Sequence, residues 1–470
     1  MFYTLRSSSL SYLGIFGIAG LLLFLQFTAA LSPFMALGAV LFIFSAWLIL
    51  RNPYFGFYAM TFFLPFERIG SYDVLGATVR ISQVLFFLTL IGWLARGILE
   101  QRLTFQKNPL FFPLLLFFAL NTLSLVNAEN IHRSLLVLAF TVFTSSLALL
   151  IPQIMTRSDN ILTATRVVFV STAVVSVFGM YQFIGDFIGL PTEITGLREL
   201  YTKDILGFPR VQSTALEPLY FAHFLLLPLG FAYALFLSKS VHFRLRWLFF
   251  ILIVGSLNLI LTVSRGGYIA FFVMILGITV FSLRNVLSLK RIATFSIAVL
   301  VVGLLAIRFL NIDNAWEKFL THTQNVFSGA SFEERLATFE YARRAFISHP
   351  WIGVGVGGFG PFMSIHPYVV PKEGWKIVNN EFLELLSEVG LLGFFTFLII
   401  VSILLLRSVK ALRVNRDSFL RAMLVGSTCA FIAMLVQYQT FSVLYIMQVW
   451  FLIGLLVSIQ NLALRSTKTA

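Results

Sequence analysis

One stretch decides the fold of this chain. Residues 247–283 read WLFFILIVGSLNLILTVSRGGYIAFFVMILGITVFSL, and nearly all of them are apolar. About 20 apolar residues cross the hydrocarbon core of a bilayer, so this run is long enough to cross it twice. Ser264-Arg265-Gly266-Gly267 divides the run, and a charge followed by two glycines favours a chain reversal there. The pattern predicts two membrane helices joined by a tight turn at Arg265.

The rest of the chain has the same character. It has 470 residues, of which 59% are hydrophobic and 11% charged, whereas charged residues make up about a quarter of a soluble domain. Lipid offers no partner to a free backbone group, so the apolar runs are expected to be helices. We therefore predict an all-α fold, a polytopic transmembrane bundle of about fourteen spans. The predicted spans are residues 10–30, 34–50, 54–66, 79–99, 109–126, 134–155, 163–184, 217–238, 247–263, 266–283, 292–310, 382–406, 419–437 and 441–463.

Positive charges indicate the orientation of the predicted bundle. With a cytoplasmic N terminus, alternation of the spans places most short basic connections on one side, which the positive-inside rule identifies as the cytoplasm. Both chain ends then lie in the cytoplasm. The other face holds residues 185–216, the turn at Arg265 and one large loop, Asn311–Glu381. The net charge of +14 is explained by this topology and by contact with anionic lipid head groups, and nucleic acid is not predicted as a partner.

The predicted topology divides the chain into four segments. Residues 1–206 hold the N-terminal membrane helices, and residues 207–311 hold a membrane core with arginines at its outer face. Residues 312–381 form the outer loop, and residues 382–470 hold the C-terminal helices. The first apolar run is expected to be a membrane helix and not a cleaved signal. The single cysteine, Cys429, lies within a span, which excludes disulfides and cysteine-ligated metal.

Two arginines at the outer ends of predicted spans are candidate anion ligands. Arg265 lies at the turn described above, and Arg210 lies in Gly207-Phe-Pro-Arg-Val, shortly before the eighth span. One interpretation of Arg265 is a turn residue that extends to the lipid head groups. The other is an anion-binding residue facing an outer cavity, because a guanidinium is permanently charged and binds phosphate in a bidentate fork. Two such arginines in one cavity would suit a diphosphate.

Glu217 is the candidate general base. It precedes Pro218, which fits the first position of a helix. An acidic residue there interacts favourably with the positive end of the helix dipole, so a structural role and a role as base are both open.

An amphipathic helix is predicted in the outer loop. Ser331-Phe-Glu-Glu334 has the form of a capping box, and Pro350 ends the helix. We expect this helix to lie on the bundle as a lid, followed by a flexible segment from Gly353 to Gly360 whose backbone can approach a ligand. The residues of its predicted inner face, spaced by three and four, are Leu336, Phe339, Arg343 and Phe346.

Asn379-Asn380 immediately precedes the twelfth span. One interpretation is a helix N-cap, and the other is a contact with substrate. Glu384 and Glu388 lie four residues apart on one face of the helix that follows, where carboxylates at the outer end would line the cavity. The sequence contains no Asp-x-Asp pair and no His-x-x-x-His motif, so no metal site is predicted.

Five motifs, in this order, resemble the O-antigen ligase and Wzy-type polymerase superfamily of bacterial envelope glycosyltransferases. Each motif alone is weakly specific, and their order over residues 207–393 carries the resemblance; the first 200 residues match only as hydrophobic spans. The motifs are Arg210 to Phe221, Ser264-Arg265-Gly266, Arg335-Leu336, His349-Pro-Trp-Ile-Gly-Val-Gly, and Asn380 to Gly393.

The resemblance implies a metal-independent glycosyltransferase of the bacterial inner membrane that needs no cofactor. Its donor would be an undecaprenyl-diphosphate-linked oligosaccharide that enters from the lipid bilayer, and its acceptor would be a hydroxyl on the periplasmic face. A flippase and a chain-length regulator are the implied partners. Arg210 and Arg265 would bind the diphosphate and act with Glu217 as the catalytic set. The further substrate-binding residues would be Arg335, Asn379, Asn380 and Glu384.

The resemblance also bears on the acceptor. Ligases of this superfamily typically carry His-Asn where this chain has Asn379-Asn380, and often Asn where it has Glu217. Asparagine cannot take a proton as histidine can, which favours Glu217 as base and a polysaccharide polymerase over a ligase acting on lipid A core. An anion transporter is the alternative from another class. Transporters usually show internal repeats and helices broken at the midplane, and neither is recognisable in the sequence.

Overall fold

The computed structural model describes residues 33–74, 77–101, 105–282, 330–371 and 374–465, together with Gly20, Lys290, Arg291, Ala293, Thr294 and Ile297. Most of the predicted first and eleventh spans and the beginning of the outer loop lie outside the described residues.

The described chain is mostly helical, as predicted. Within it, eight helices are long and apolar enough to cross a membrane, and three shorter apolar helices accompany them; the total of fourteen spans stays a prediction. The longer helices are α1 (Pro33–Arg51), α2 (Pro53–Phe62), α3 (Ile81–Leu99), α4 (Phe111–Ser124), α5 (Ile131–Ser145), α6 (Leu147–Ile154), α7 (Ser158–Phe187), α8 (Pro218–Ser238), α9 (Leu245–Leu261), α10 (Arg265–Ser282), α11 (Ala330–Ser348), α12 (Glu381–Val414), α13 (Ser418–Gln437) and α14 (Met447–Arg465).

The described residues also contain a short β-hairpin, which the all-α prediction omitted. Strands β1 (Ser71–Val74) and β2 (Ala77–Arg80) pair antiparallel, with Ser71 opposite Arg80. The hairpin lies in the connection between the predicted third and fourth spans, where the sequence is too polar for a membrane helix. Short single-turn elements are Leu125–Asn127, Thr192–Thr195, Glu199–Tyr201, Lys203–Leu206 and Phe359–Met363.

Local sequence explains where several helices begin. The Asn130 side chain accepts a hydrogen bond from the Arg133 N–H at 3.0 Å at the start of α5. The Asp417 carboxylate accepts one from the Leu420 N–H at 2.8 Å at the start of α13. Pro218 occupies the first turn of α8, where its missing N–H costs nothing. These caps satisfy backbone donors that a helix start leaves without an intrahelical partner.

Contacts divide the chain into two compact units. The first comprises Ile81–Phe105 and the described residues up to Thr61. In it α1 packs against α3, and a Cβ atom at Gly92 would lie only 3.0 Å from the Ile49 carbonyl oxygen. The second comprises Phe62–Arg80 and the residues from Gln106 onward. All the site residues discussed below belong to the second unit.

Helix α8 forms the centre of the second unit. In the apolar 18-residue stretch of α8, 94% of the residues are buried within the protein. The helix packs against α9, α10 and α13. A Cβ atom at Gly426 of α13 would lie 2.7 Å from the Gly230 carbonyl oxygen of α8. Small residues therefore allow these helices to approach closely, as is usual between membrane helices. The connections before α8 and between α9 and α10 are held at one end of this core.

Helix α12 is broken at Gly390, where φ is 65° and ψ is −169°. The segment after α11 fills the break. The N–H groups of Leu391 and Leu392 donate to the Pro350 and Trp351 carbonyl oxygens at 2.9 and 3.2 Å. A break in an α-helix leaves backbone groups unsatisfied, and the inserted segment pairs with them.

Carbonyl groups at the same break are paired in the same way. The Ser387 and Glu388 carbonyl oxygens accept hydrogen bonds from the N–H groups of Val354 and Gly355 at 2.9 and 3.0 Å. The motif His349-Pro-Trp-Ile-Gly-Val-Gly is thus a wedge that replaces lost helical hydrogen bonds. No broken helix was predicted, and that expectation is wrong for α12, where Gly390 interrupts the helix. The backbone groups freed by the break form hydrogen bonds with the wedge.

The glycines of the wedge serve this packing. Residues 353–361 are buried, and a Cβ atom at Gly353 would collide with the Glu388 backbone. The Gly357 and Phe359 N–H groups donate to the Glu388 carboxylate at 2.7 and 3.2 Å. The prediction of a flexible segment that approaches a ligand is therefore wrong, because its backbone is bonded to α12.

We expect Gly353→Ala to destabilise the protein. Its φ of 70° lies in the left-handed region, and a Cβ atom there would also collide with the α12 backbone, so the loss should be at least about 2 kcal/mol. The thermal midpoint of the detergent-solubilised protein measures it. Gly374→Ala is the matched control, because Gly374 has a φ of 79° but no atom within 4 Å of the added Cβ. An equal loss in both variants would contradict the role of the wedge contact.

Helix α11 runs Ala330–Ser348 and ends just before Pro350, as predicted. Its inner face agrees with the predicted one at Phe339 and Phe346 and differs at the other two predicted residues. Leu336 is 50% exposed, and Arg343 points outward and pairs with Glu340 at 2.8 Å. Spacing alone could not separate two faces of a helix whose apolar residues are spread around it. The residues that pack inward are Thr338, Phe339, Ala342, Ala345 and Phe346.

Candidate functional site

The turn between α9 and α10 holds Arg265 at the first position of α10. The Ser264 hydroxyl accepts a hydrogen bond from the Gly267 N–H at 3.2 Å and so caps the helix. Val263 has a φ of 51°, an uncommon conformation for a β-branched residue, of the kind that concentrates at functional sites. The turn is thus held in one geometry, with Arg265 directly after the cap.

The two glycines after Arg265 permit close packing. A Cβ atom at Gly266 would collide with the Thr440 side chain, and one at Gly267 would lie 3.0 Å from the Ala222 Cβ atom of α8. The start of α10 is therefore in direct contact with α8 and with the turn between α13 and α14. The predicted turn at Arg265 is confirmed, and the close packing of the two glycines fixes the position of the Arg265 backbone.

Arg210 is bonded to the other side of the same turn. Its Nε donates to the Thr262 carbonyl oxygen at 3.2 Å, and its Nη2 donates to the Val263 carbonyl oxygen at 3.3 Å. Its guanidinium also lies 5.7 Å from the Tyr201 ring centroid. A cation is favourable at the C-terminal end of α9, where carbonyl groups lack helical partners. Two N–H groups of Arg210 are used in this way, out of the five that a guanidinium carries.

Arg265 lies close enough to both Arg210 and Arg335 to act electrostatically on each of them. Burial lowers the pKa of the Arg210 guanidinium, and the charge of Arg265 lowers it further. Burial likewise lowers the pKa of Arg335 in α11, and Arg265 again adds to the effect. Arg265 therefore repels both Arg210 and Arg335. We name these three residues the arginine cluster; its mutual repulsion would be relieved by a polyanion.

Glu217 lies beside this cluster. It is the N-cap residue of α8, yet its side chain accepts no capping hydrogen bond. Its charge contributes to the electrostatic environment of Arg210 and of Tyr201; burial first, and Glu217 second, raise the pKa of Tyr201 to about 12. A carboxylate that is near the arginines and not used as a cap is available for proton transfer.

Asn380 has a structural function. Its Oδ1 accepts hydrogen bonds from the Phe382 and Leu383 N–H groups, both at 3.1 Å, and caps α12. Its Nδ2 donates to the Gln439 side chain at 3.3 Å. Asn379 adopts a φ of 58° and donates its backbone N–H to the Ser442 hydroxyl at 3.1 Å. Both asparagines therefore join the start of α12 to the turn that contacts Gly266.

Glu384 belongs to a second cluster. Its Oε2 accepts hydrogen bonds from the Ser442 hydroxyl at 2.6 Å and from the Val378 N–H at 3.0 Å. A cavity of about 40 Å³ lies there, enough for one or a few water molecules. The polar residues around it are Asn121, Arg133, Thr141, Lys376, Glu381, Glu384, Glu388 and Tyr445. The charged groups coupled electrostatically to Glu384 are Arg133, Glu381 and Glu388, and none of them belongs to the arginine cluster.

Several of these residues were not predicted from the sequence. Arg133 donates to the Gly357 carbonyl oxygen at 2.7 Å and lies over the Trp375 ring at 5.3 Å. The predicted sixth span began one residue later, so Arg133 was left in a connection; an arginine in the first turn of a span was the available signal. Glu67, between the third and fourth spans, had no motif around it. Among the described residues, no group of three metal-ligating side chains has metal-binding geometry.

The family model described as O-antigen ligase matches residues 248–398. This segment is similar to the O-antigen ligase family. The assignment supports the predicted superfamily of O-antigen ligases and Wzy-type polymerases. No curated protein matches the chain significantly. The matched residues 248–398 include Arg265, Arg335, the wedge and the start of α12. Arg210 and Glu217 precede them.

Proposed function

We propose that this protein is a membrane glycosyltransferase that polymerises undecaprenyl-diphosphate-linked oligosaccharide repeat units. The reaction would take place at the periplasmic face of the bacterial inner membrane, with both chain termini in the cytoplasm. The observation that carries the proposal is the arginine cluster beside Glu217, at the end of a bundle whose helices are apolar enough for a membrane. The O-antigen ligase match at residues 248–398 supports the same reaction class.

The proposed chemistry assigns a part to each group. A hydroxyl oxygen of the acceptor attacks the anomeric carbon of the donor, and its proton passes to Glu217. The bond from that carbon to the diphosphate oxygen breaks, and the electron pair leaves with the diphosphate. Arg265 and Arg210 would stabilise the negative charge that develops there, with Arg335 beside the acceptor. Diphosphate is a good leaving group, so orientation and charge stabilisation account for most of the catalysis.

A ligase that transfers the finished glycan to lipid A core is the second candidate. The family description favours it. Asn379 favours the polymerase, because it stands where ligases typically have histidine and cannot take a proton as histidine can. Glu217 is then the candidate proton acceptor. The two reactions share the donor and differ only in the acceptor. An anion transporter is less well supported, because the freed backbone groups of α12 bond to the wedge and not to a bound ion.

Reconstitution distinguishes these candidates. Purified protein in liposomes is given an undecaprenyl-diphosphate-linked repeat unit, alone or with lipid A core, and the products are separated on a gel. We expect a ladder of lengths from the repeat unit alone. A product formed only when lipid A core is present would replace the polymerase by the ligase. No product with either acceptor, together with counterflow of a small anion, would rule out the enzyme.

A further inference from the structure

We propose that Glu67 is a positioning residue that clamps the backbone before Glu217 and, in its ionised form, keeps Glu217 effective as a base. The proposal rests on the proposed function, because it assigns Glu217 to proton transfer. It concerns a carboxyl group that no motif includes and that lies far from Glu217 in sequence. Three observations support the proposal. They are the hydrogen bonds to residues 214–216, the burial and charged neighbours of Glu67, and the buried amide of Gln448 beside it.

The clamp is made by both backbone and side chain of the loop after α2. The Glu67 and Arg68 N–H groups donate to the Thr214 carbonyl oxygen at 3.2 and 3.1 Å. The Thr214 hydroxyl donates in return to the Pro65 carbonyl oxygen at 2.8 Å. The Glu67 Oε2 atom accepts a hydrogen bond from the Leu216 N–H at 3.3 Å. Residues 214–216 are thus attached to this loop immediately before Glu217.

Glu67 is deeply buried, with 4% of its surface exposed. The ionisable groups that face it are Arg80 of β2, whose Nε donates to the Glu67 carbonyl oxygen at 3.2 Å, and Glu217 and Tyr220 at the start of α8. Burial is the main cause that raises the pKa of Glu67 to about 7; Arg80 opposes the rise, and Glu217 adds to it. The carboxyl group therefore changes charge near neutral pH, while facing the proposed base.

Gln448 of α14 is placed to serve both charge states. Its Nε2 donates to Glu67 Oε1 at 2.9 Å, which suits the carboxylate. Within the described residues its own Oε1 is buried and has no hydrogen-bond partner. If Glu67 takes up a proton on Oε1, that oxygen no longer suits the Gln448 N–H donor, and its new O–H needs an acceptor. A turn of the Gln448 amide would present Oε1 as acceptor for that O–H.

The two states differ in what they do to Glu217. Above neutral pH, the Glu67 carboxylate accepts the hydrogen bond from the Leu216 N–H and so fixes the backbone immediately before Glu217. Below neutral pH, Glu67 is protonated, the charge is lost and the hydrogen bonds rearrange. Deprotonation of Glu67 should therefore increase the rate of the chemical step, and transfer activity should rise as pH increases through about 7.

Kinetics of the reconstituted protein across neutral pH test this. We expect kcat of the wild type to rise about tenfold as pH increases through neutrality. Glu67→Gln should not show this rise and should keep the low-pH kcat of the wild type at every pH, with KM unchanged within about twofold. Glu67→Asp, which keeps a carboxyl group, should restore a step at a shifted pH. Glu193→Gln removes an exposed carboxylate and should leave the profile unchanged. A wild-type step in Glu67→Gln, or a rate far below the low-pH rate, would overturn the proposal.

Infrared difference spectroscopy gives a readout that does not depend on transfer. Subtraction of the Glu67→Gln spectra from those of the wild type should leave one carbonyl stretch of a protonated carboxyl group, which disappears near neutral pH. If Glu67→Gln does not fold, Glu67→Asp carries the test, and an unmoved titration there would overturn the inference. Wild-type protein without transfer activity, but with this titration, would contradict the proposed function and leave the proton site of Glu67 standing.

Discussion

Replacement of Arg265 by alanine is expected to reduce kcat/KM for glycan transfer by at least about a thousandfold. Arg265 is the member of the cluster that acts electrostatically on both Arg210 and Arg335. Its backbone is fixed by the Ser264 cap and by the packing of Gly266 and Gly267. In the proposed reaction, a guanidinium held there would meet the leaving diphosphate with little reorganisation, which is where such a charge is most effective.

Arg265→Lys separates charge from geometry. It keeps the positive charge but cannot make a bidentate contact, so an intermediate loss is expected. Arg343→Ala is the matched control, because Arg343 lies on the exposed face of α11 and pairs with Glu340. Product formation is measured with the lipid-linked repeat unit, and the thermal midpoint shows that each variant is folded. Wild-type rates in folded Arg265→Ala would contradict the diphosphate role.

Features of the fold that depend on neighbouring residues were predictable from the sequence. The break in the apolar run at Ser264-Arg265, the helix start at Pro218 and the end of α11 before Pro350 were all predicted, and the structure confirms them. Each is decided by a few consecutive residues, through a charge, a cap or a missing N–H. The same local reasoning found the Asn380 cap but could not decide between it and a contact with substrate.

The wedge was not predictable in this way. It joins residues 350–355 to residues 387–392 through backbone hydrogen bonds, and backbone groups have no sequence signature. A run of glycines is compatible with a ligand loop and with close packing against a helix. Only the position of Gly353 against the Glu388 backbone decides between them. Two motifs of the family resemblance are thereby explained as parts of one structural contact.

The candidate site was predictable in part for the same reason. The sequence indicated which arginines lie at the outer ends of spans, but their approach to one another depends on how the turn between α9 and α10 meets the segment before α8. Arg210 also proved to be bonded to the carbonyl groups at the end of α9. Glu67 gave no signal, because its importance comes from burial and from Glu217 nearby.

Glu217→Gln is expected to reduce kcat by at least about a hundredfold, with KM little changed, if Glu217 takes the proton of the acceptor hydroxyl. The structure makes this test selective. The Glu217 side chain accepts no capping hydrogen bond, and Pro218 sets the start of α8 by its ring. Loss of the Glu217 charge should therefore lower the free energy of unfolding by at most about 1 kcal/mol, through the lost interaction with the helix dipole. A large loss of rate in a protein of nearly unchanged stability points to chemistry.

The control for this change is again Glu193→Gln, which removes an exposed carboxylate from the same segment of the chain and should leave the rate unchanged. The acceptor must be supplied at saturating concentration, so that weaker binding is not mistaken for slower chemistry. If Glu217→Gln keeps the wild-type kcat, the proton goes elsewhere. Glu217 would then be a residue of the α8 start that only shapes the field around Arg210, and the clamp formed by Glu67 would have no base to position.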